Sequence, residues 1–285
     1  MNREFPADKL FVPDGSPVPG ALGRITHLGI GAHQDDLEFM AFHGIISCYD
    51  SDQLWFGGVT CTNGAGSPRT GPYKDFSDER MAAVRHQEQK NAATIGRYAA
   101  LFQLDHSSAA ARNPADPSLE NNLLEILTAT RPQVVYTHNP ADKHPTHVAV
   151  AIAALRAMRS LPPGQRPRHV IGCEVWRDLD WLPDDHKVLM DVSGHDALAT
   201  ALLGTFHSQI AAGKRYDAAI LGRRTANATF LNPHATDDST RIAFGLDLTP
   251  LVADESVDIA GYICAFIDQF KADVRNTLGA PPATR

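Results

Sequence analysis

Two hydrophobic patterns alternate along this chain: short β-like runs, and longer stretches of helical spacing that follow them. Ile25–Ile30 is the first β-like run, and Leu37, Met40, Ala41 and Ile45 then recur at helical spacing between Asp36 and Tyr49. Leu54–Thr60 predicts the second strand. Ser77-Asp78-Glu79-Arg80 opens the next helix with a capping residue and early acids, and that helix runs to about Arg97. Ala99–Leu104 predicts a third strand ending at Asp105. Pro117 and Ser118 start a helix through Leu127, Arg131-Pro132 breaks it, and Gln133–Thr137 predicts the fourth strand. A helix over Val148–Arg159 stops at Pro162-Pro163-Gly164. Strands at Val170–Trp176 and Lys187–Val192, helices over 197–212 and 215–223, a loop over 226–240 and a mostly helical tail from Asp254 to Leu278 complete the chain.

Strands alternating with helices at this spacing predict an α/β fold: a Rossmann-like, mostly parallel sheet flanked by helices, in a single domain. Residues 1–24, rich in Pro and Gly, read as an irregular lead-in, and the domain occupies residues 25–285. Right-handed crossovers bring all the strand C-termini to one edge, where open α/β sheets bind ligands. His33, Asp35, Asp36, the turn Thr60–Asn63, Asp105 and the segment His138–His147 all fall just past strand ends. A long loop over 61–77, holding Gly64, Gly66 and Gly71, is the type of segment that serves as a lid.

Charge narrows the class. The 285 residues carry 33 acids against 26 bases, a formal charge of −7, which argues against nucleic acid or an anionic membrane as main partner. Cys48, Cys61, Cys173 and Cys264 are widely spaced, with no Cys-x-x-Cys pair, and read as four buried free thiols in a reducing compartment. No basic segment followed by an apolar core opens the sequence, and no apolar run approaches the roughly 20 residues that span a bilayer, so a cytoplasmic location is expected. Arg223, Arg224 and Asn227 at a helix end suit the dipole, an anionic substrate or a second copy of the chain in a homo-oligomer.

The candidate chemistry lies in two strand-to-helix turns. The first is Gly31-Ala-His33-Gln34-Asp35-Asp36-Leu37-Glu38; the second is Thr137-His138-Asn139-Pro140-Ala-Asp142-Lys143-His144-Pro145-Thr146-His147. His33 and Asp36 are three apart and can face one metal, while Asp35 is offset and can reach a water held there. His144 and His147 repeat the spacing, and either supplies a third ligand. A catalytic zinc takes three protein ligands and one open position; iron(II) also suits such a donor set. Asp35 is then the candidate general base, the histidine not used as ligand an oxyanion or leaving-group partner, and Asp142 its orienting carboxylate. Other features have plain alternatives. Arg85 could pair with Glu88 or Glu79, and Asp105 could cap its turn. Trp176 and Trp181, flanking Arg177, suit a sugar face or a core, and His207 reads as a buried core histidine. A Rossmann-like module that binds a sugar or a nucleotide without catalysis is the reading from another class; a dinucleotide binder would need Gly-x-Gly-x-x-Gly after the first strand, where His33–Asp36 stand instead.

The pair Ala32-His33-Gln34-Asp35-Asp36 and His144-Pro145-Thr146-His147 resembles the two signature motifs of the PIG-L/LmbE-like zinc-dependent N-deacetylases, which usually read Ala-His-Pro-Asp-Asp-Glu and His-Pro-Asp-His. Val59-Thr60-Cys-Thr62-Asn63-Gly64, Arg85-His-Gln-Glu88 and Ser208-Gln209 are similar to further stretches of that family. The resemblance implies removal of N-acetyl groups from amino sugars or their conjugates. It implies His33, Asp36 and His147 as zinc ligands, one zinc per chain, Asp35 as base and His144 as oxyanion partner. Arg85 would contact the sugar with Glu88 in support, and Asn63, Asp105, Trp176 and Arg177 are the remaining candidate substrate contacts. A zinc amidohydrolase acting on a non-sugar amide is the alternative in the same chemistry. Gln34 and Thr146 depart from the family pattern and mark where substrate range is expected to differ.

Overall fold

The computed structural model describes Pro6, residues 8–211 and residues 213–279. The first residues of the lead-in, and Ala212 at the end of the helix expected over 197–212, lie outside the described residues. Among the described residues one eight-stranded sheet organises the chain. Its strands are β1 (Leu10–Phe11), β2 (His27–Gly31), β3 (Phe56–Thr62), β4 (Ala100–His106), β5 (Val134–His138), β6 (His169–Cys173), β7 (Lys187–Asp191) and β8 (Ile242–Asp247), in the order β1-β4-β3-β2-β5-β6-β8-β7. The five central strands β4-β3-β2-β5-β6 are parallel, whereas β1, β8 and β7 join antiparallel at the two sides.

The helices are α1 (Val18–Gly23), α2 (Asp36–Met40), α3 (Phe42–Tyr49), α4 (Asp78–Ile95), α5 (Ser108–Ala111), α6 (Ser118–Thr130), α7 (Pro145–Arg159), α8 (Asp196–Gly204), α9 (His207–Ile210), α10 (Tyr216–Thr229), α11 (Thr249–Ala253) and α12 (Ile259–Thr277). They divide between two hydrophobic cores. One gathers Leu123 and Leu127 of α6, Leu155 of α7 and Phe266 of α12. The other gathers Leu37 and Met40 of α2, Ile45 of α3, Ala92 of α4 and Leu202 of α8. Each fully buried large aliphatic side chain contributes about 1.5–3 kcal/mol, so both layers hold the sheet.

The first strand of the parallel set, β2, lies at its centre, with β3 on one side and β5 on the other. The chain order reverses there, which opens a crevice beyond the C-termini of β2 and β5. β2 leads into His33–Asp36 and β5 into His138–His147, so both chemical turns meet at that crevice. Two glycines let α2 descend onto it. Gly29 and Gly58 are register partners across β2 and β3. A Cβ on either would come within 3 Å of the Leu37 side chain, at 2.9 and 2.8 Å. Leu37 therefore seats on a glycine floor one residue after Asp36.

Four expectations need correction. The lead-in is not irregular throughout: β1 pairs Leu10 with Phe102, and α1 buries Leu22. The helix expected from Asp36 to Tyr49 is interrupted at Ala41. β8 is not among the expected strands; a Cβ at Gly245 would meet Ile171 of β6 at 2.5 Å, so the glycine lets the two strands pack closely. The helix expected over 215–223 extends to Thr229. Arg224 thus sits inside a helix, buried, and its guanidinium donates to the Glu38 and Phe39 carbonyls at 2.9 and 3.0 Å, closing the end of α2. Among the described residues no helix is long and apolar enough to cross a membrane.

Candidate metal centre

The turn from β2 into α2 is tight and strained. Asp35 adopts φ 100°, a backbone state that costs a non-glycine residue about 1–3 kcal/mol. The surroundings enforce it. The Asp35 N–H donates to Gln89 Oε1 at 3.1 Å, and Gln89 Nε2 donates to Glu38 Oε1 at 2.8 Å. The Tyr98 hydroxyl donates to the same Glu38 oxygen at 2.6 Å. Burial pushes the Glu38 carboxyl up to about 8, so it is held mostly protonated at neutral pH. The His33 N–H donates to Asp36 Oδ2 at 2.7 Å, fixing the second carboxylate.

Three atoms then converge: His33 Nδ1, Asp36 Oδ2 and His147 Nε2. Their separations are 3.2 Å between the histidines, 3.3 Å from His33 to Asp36, and 3.4 Å from His147 to Asp36. Bonds of 2.0–2.1 Å in a tetrahedron imply ligand–ligand edges of about 3.3–3.4 Å. The triangle has the size of one face of a tetrahedral zinc site, and the fourth direction is left for water or substrate. The donor set suits zinc or iron(II).

His147 is oriented from behind. Its Nδ1–H donates to Asp142 Oδ2 at 3.3 Å, which leaves Nε2 as the nitrogen facing the triangle. Asp142 also accepts from the N–H groups of His144, at 3.0 Å, and Trp176, at 3.2 Å. Hydrogen bonds to these groups hold its carboxyl below the usual range in spite of burial. His138, the last residue of β5, is a buried member the sequence reading left without a role. Its ring stacks on His147 with centroids 3.9 Å apart, and its Nε2 accepts the Ala32 N–H at 2.9 Å. It lies near Asp36, at 3.3 Å, but that nitrogen is already engaged, so His138 is a platform for His147. Its position at a strand C-terminus is the signal that points to it.

Asp35 sits beside the triangle. Burial raises its carboxyl to about 7, against the opposing pull of the Arg85 guanidinium. Both terminal Arg85 nitrogens are 3.3 Å from Asp35 Oδ2, and one also donates to the Gln34 carbonyl. Arg85 therefore pairs with Asp35, not with Glu79 or Glu88. Glu88 instead accepts from the Ser208 N–H and hydroxyl, both at 2.7 Å. His144 lies edge-on to His33, 5.0 Å between centroids, with burial and the neighbouring histidines lowering it to about 4.

A cavity of about 810 Å³ opens over these groups, with His33, Asp35, Asp36, Arg85, His144 and Trp176 in its wall. Thr146 and Tyr216 line it too; Tyr216 lies T-shaped to Trp176 at 6.0 Å. Three expected substrate contacts lie elsewhere. Asp105 is 2.5 Å from His86 Nε2, outside the cavity wall. The Asn63 side chain accepts the Ala65 N–H at 3.0 Å, shaping the turn. Arg177 lines a different cavity, of about 1100 Å³, between α7 and α12. Gln34 also points away: its Nε2 donates to the Thr62 carbonyl at 2.9 Å. Its Oε1 occupies the space a Cβ at Gly64 would need, and Gly64 has φ 69°. Cys48, Cys61 and Cys173 are buried free thiols, but Cys264 is exposed, and His207 is an exposed partner of the Tyr73 hydroxyl at 2.8 Å.

Fold and site together define a Rossmann-like protein with a cluster of two histidines and an aspartate at the switch point of its sheet. Residues 28–158 match the model of the PIG-L family, described as GlcNAc-PI de-N-acetylase. Solved structures share the fold. The N,N'-diacetylchitobiose deacetylase of Pyrococcus horikoshii is 14% identical with a TM-score of 0.62, covering 80% of this chain and 85% of that one. GalB, the 4-carboxy-2-hydroxymuconate hydratase of Pseudomonas putida KT2440, is 16% identical with a TM-score of 0.61, covering 79% and 96%. The A40926 pseudoaglycone deacetylase Dbv21 is 14% identical with a TM-score of 0.59, covering 79% and 97%. No curated protein sequence matches the chain. A hydratase and two deacetylases on one fold show that the fold alone does not select the reaction.

Proposed function

We propose that the protein is a metal-dependent hydrolase that removes an N-acyl group, acetyl by preference, from an amino sugar or its conjugate. The observation that carries this reading is the His33–Asp36–His147 triangle, with edges of 3.2–3.4 Å and a second carboxylate, Asp35, beside it. These three residues would hold one zinc ion, with iron(II) as the other fitting occupant. When bound, such an ion acidifies water and polarises an amide carbonyl.

The chain's own groups supply the proton traffic. Asp35, poised near neutrality, takes the proton of the attacking water and returns it to the leaving amine, an effect worth roughly 10²–10⁴-fold. Arg85 holds the Asp35 carboxylate in place and keeps it from rising further, as the direction of its pull shows. His144 is neutral at pH 7, so its part is to donate one ring N–H to the developing oxyanion rather than to deliver a proton. Asp142 and His138 keep His147 in register, and Trp176 offers a ring face to the sugar. Glu88 anchors α9 to α4 behind the site. The substrate is a small molecule, and the free thiols fit a cytoplasmic setting.

The test has two readouts. Metal analysis of protein purified without chelator should give about one zinc or iron per chain. A panel of N-acetylated amino sugars should show release of acetate from at least one member. A metal-free protein that binds no zinc on titration would end the reading before any substrate is tried.

A further inference from the structure

We propose that the substrate carries an anionic substituent, a carboxylate or a phosphate, that lies toward the cavity mouth on the Trp176 side. This deepens the N-acyl hydrolase reading and rests on it for the reacting group. Across the whole chain acids outnumber bases, 33 to 26. The cavity wall reverses that balance. Its bases are Arg85, Arg112, Lys143, Lys214 and Arg223, while its acids, among the described residues, are Asp35 and Asp36 alone.

Those two acids are engaged at the floor, Asp35 by Arg85 and Asp36 by histidine nitrogens. Arg223 is half-buried; it donates to the Val175 carbonyl and feels the buried Glu174. Arg112, Lys143 and Lys214 are exposed, and among the described residues none stands in an ion pair. Arg112 donates through Nε to the Ser108 carbonyl at 3.0 Å, which leaves its terminal nitrogens free of that bond.

The three come from separate places: the end of α5, the loop after β5 and the loop before α10. All three nevertheless line one cavity, and like charges around a cleft repel unless an anion is present. Contact continues from the floor to this rim. His144 stacks with Trp176 at 6.1 Å and 24°, and the Lys214 ammonium lies 5.3 Å from the Trp176 ring. A sugar on the indole would present its acyl group to the floor and a ring substituent to the cations.

Three probes sharing one N-acetyl group test this: the methyl glycoside of N-acetylglucosamine, which is neutral, N-acetylglucosamine 1-phosphate and N-acetylmuramic acid, a carboxylate. Acetate release from the zinc-loaded enzyme should favour one of the anionic sugars by about tenfold or more in kcat/KM at low salt, a gap that narrows as salt screens the rim. In the Lys143→Gln/Lys214→Gln protein the ratio of anionic to neutral kcat/KM should fall by about two- to fivefold per charge removed. Equal kcat/KM across the three sugars, or a ratio the double variant leaves unchanged, overturns the proposal. Calorimetric titration of the same sugars into zinc-loaded Asp35→Asn protein separates the two readings. Tighter binding of an anionic sugar, weakened by the lysine substitutions, with no acetate released by the wild type, would remove the hydrolase reading and keep the anion site. Acetate released from the neutral glycoside with no anion preference in binding or turnover would do the opposite.

Discussion

The floor and the mouth of the cavity are built on different principles. At and behind the floor, His138, His147, Asp36 and Asp35 are buried, and every one of them is held by a named neighbour. At the mouth, Arg112, Lys143 and Lys214 are exposed and stand on loops or helix ends. The floor is over-determined because a buried charge without partners is costly, so its geometry is fixed before any ligand arrives. The mouth is solvated, costs little, and can differ between relatives without disturbing the fold. On the proposed function, reaction type belongs to the floor and substrate choice to the mouth.

That division can be broken most forcefully at the metal triangle. His147→Ala should reduce bound zinc from about one per chain to under a tenth, and turnover by at least about 10³-fold; retention of stoichiometric metal would show that His138 or His144 is the third ligand. Asp35→Asn should keep metal and lose roughly 10²–10⁴-fold in kcat. Asn is the right substitution because it tolerates positive φ better than Ala. In the wild type the corresponding acid limb should appear at or below about pH 7, because Asp35 must be ionised to accept a proton and a cation at Asp36 draws its pKa down. A rate flat from pH 8 to well below that limb would separate Asp35 from proton transfer.

Asp142→Asn should weaken metal binding by about 10–100-fold, read by competition with a chelator, while leaving the fold intact. Gln89→Leu should lower stability by about 1–3 kcal/mol, because it strips the Asp35 N–H and Glu38 of their buried partner. Its melting temperature, measured with and without zinc, shows whether the floor stays formed. The smallest effect belongs outside both regions. Asp105→Asn should change stability by less than about 1 kcal/mol and kcat/KM hardly at all, since its partner is His86. A large loss in kcat/KM would return Asp105 to the site.

The floor was readable from sequence because its residues are local. His33, Asp35 and Asp36 share one turn, Asp142, His144 and His147 share another, and both turns follow β-like runs. What escaped reading is what depends on distant chain. Gln89 touches Asp35 across 54 residues of sequence, and Ser208 meets Glu88 across 120. Nothing in their spacing announces either contact. Glu38 looked idle for the same reason, since its partners Tyr98 and Gln89 lie on other elements. The mouth cations form no motif, and Arg223 was read as part of a helix end because α10 was cut short. Asp105, Asn63 and Arg177 show the converse limit of a local pattern. A strand end, a turn and a Trp-flanked loop all suggested contact, but orientation sent each side chain elsewhere. β1 escapes a sequence pattern because a two-residue edge strand takes its identity from the neighbour it pairs with.

The guanidinium of Arg224 has one more consequence, in the order of synthesis. It closes the last carbonyls of the helix that begins at Asp36, yet it leaves the ribosome 186 residues after the first of them. A nascent chain that has already exposed both turns of the metal centre still lacks the group that closes that helix. Residues 28–158 can hold the signature of the site in isolation as text, but the centre they encode is completed from outside that stretch.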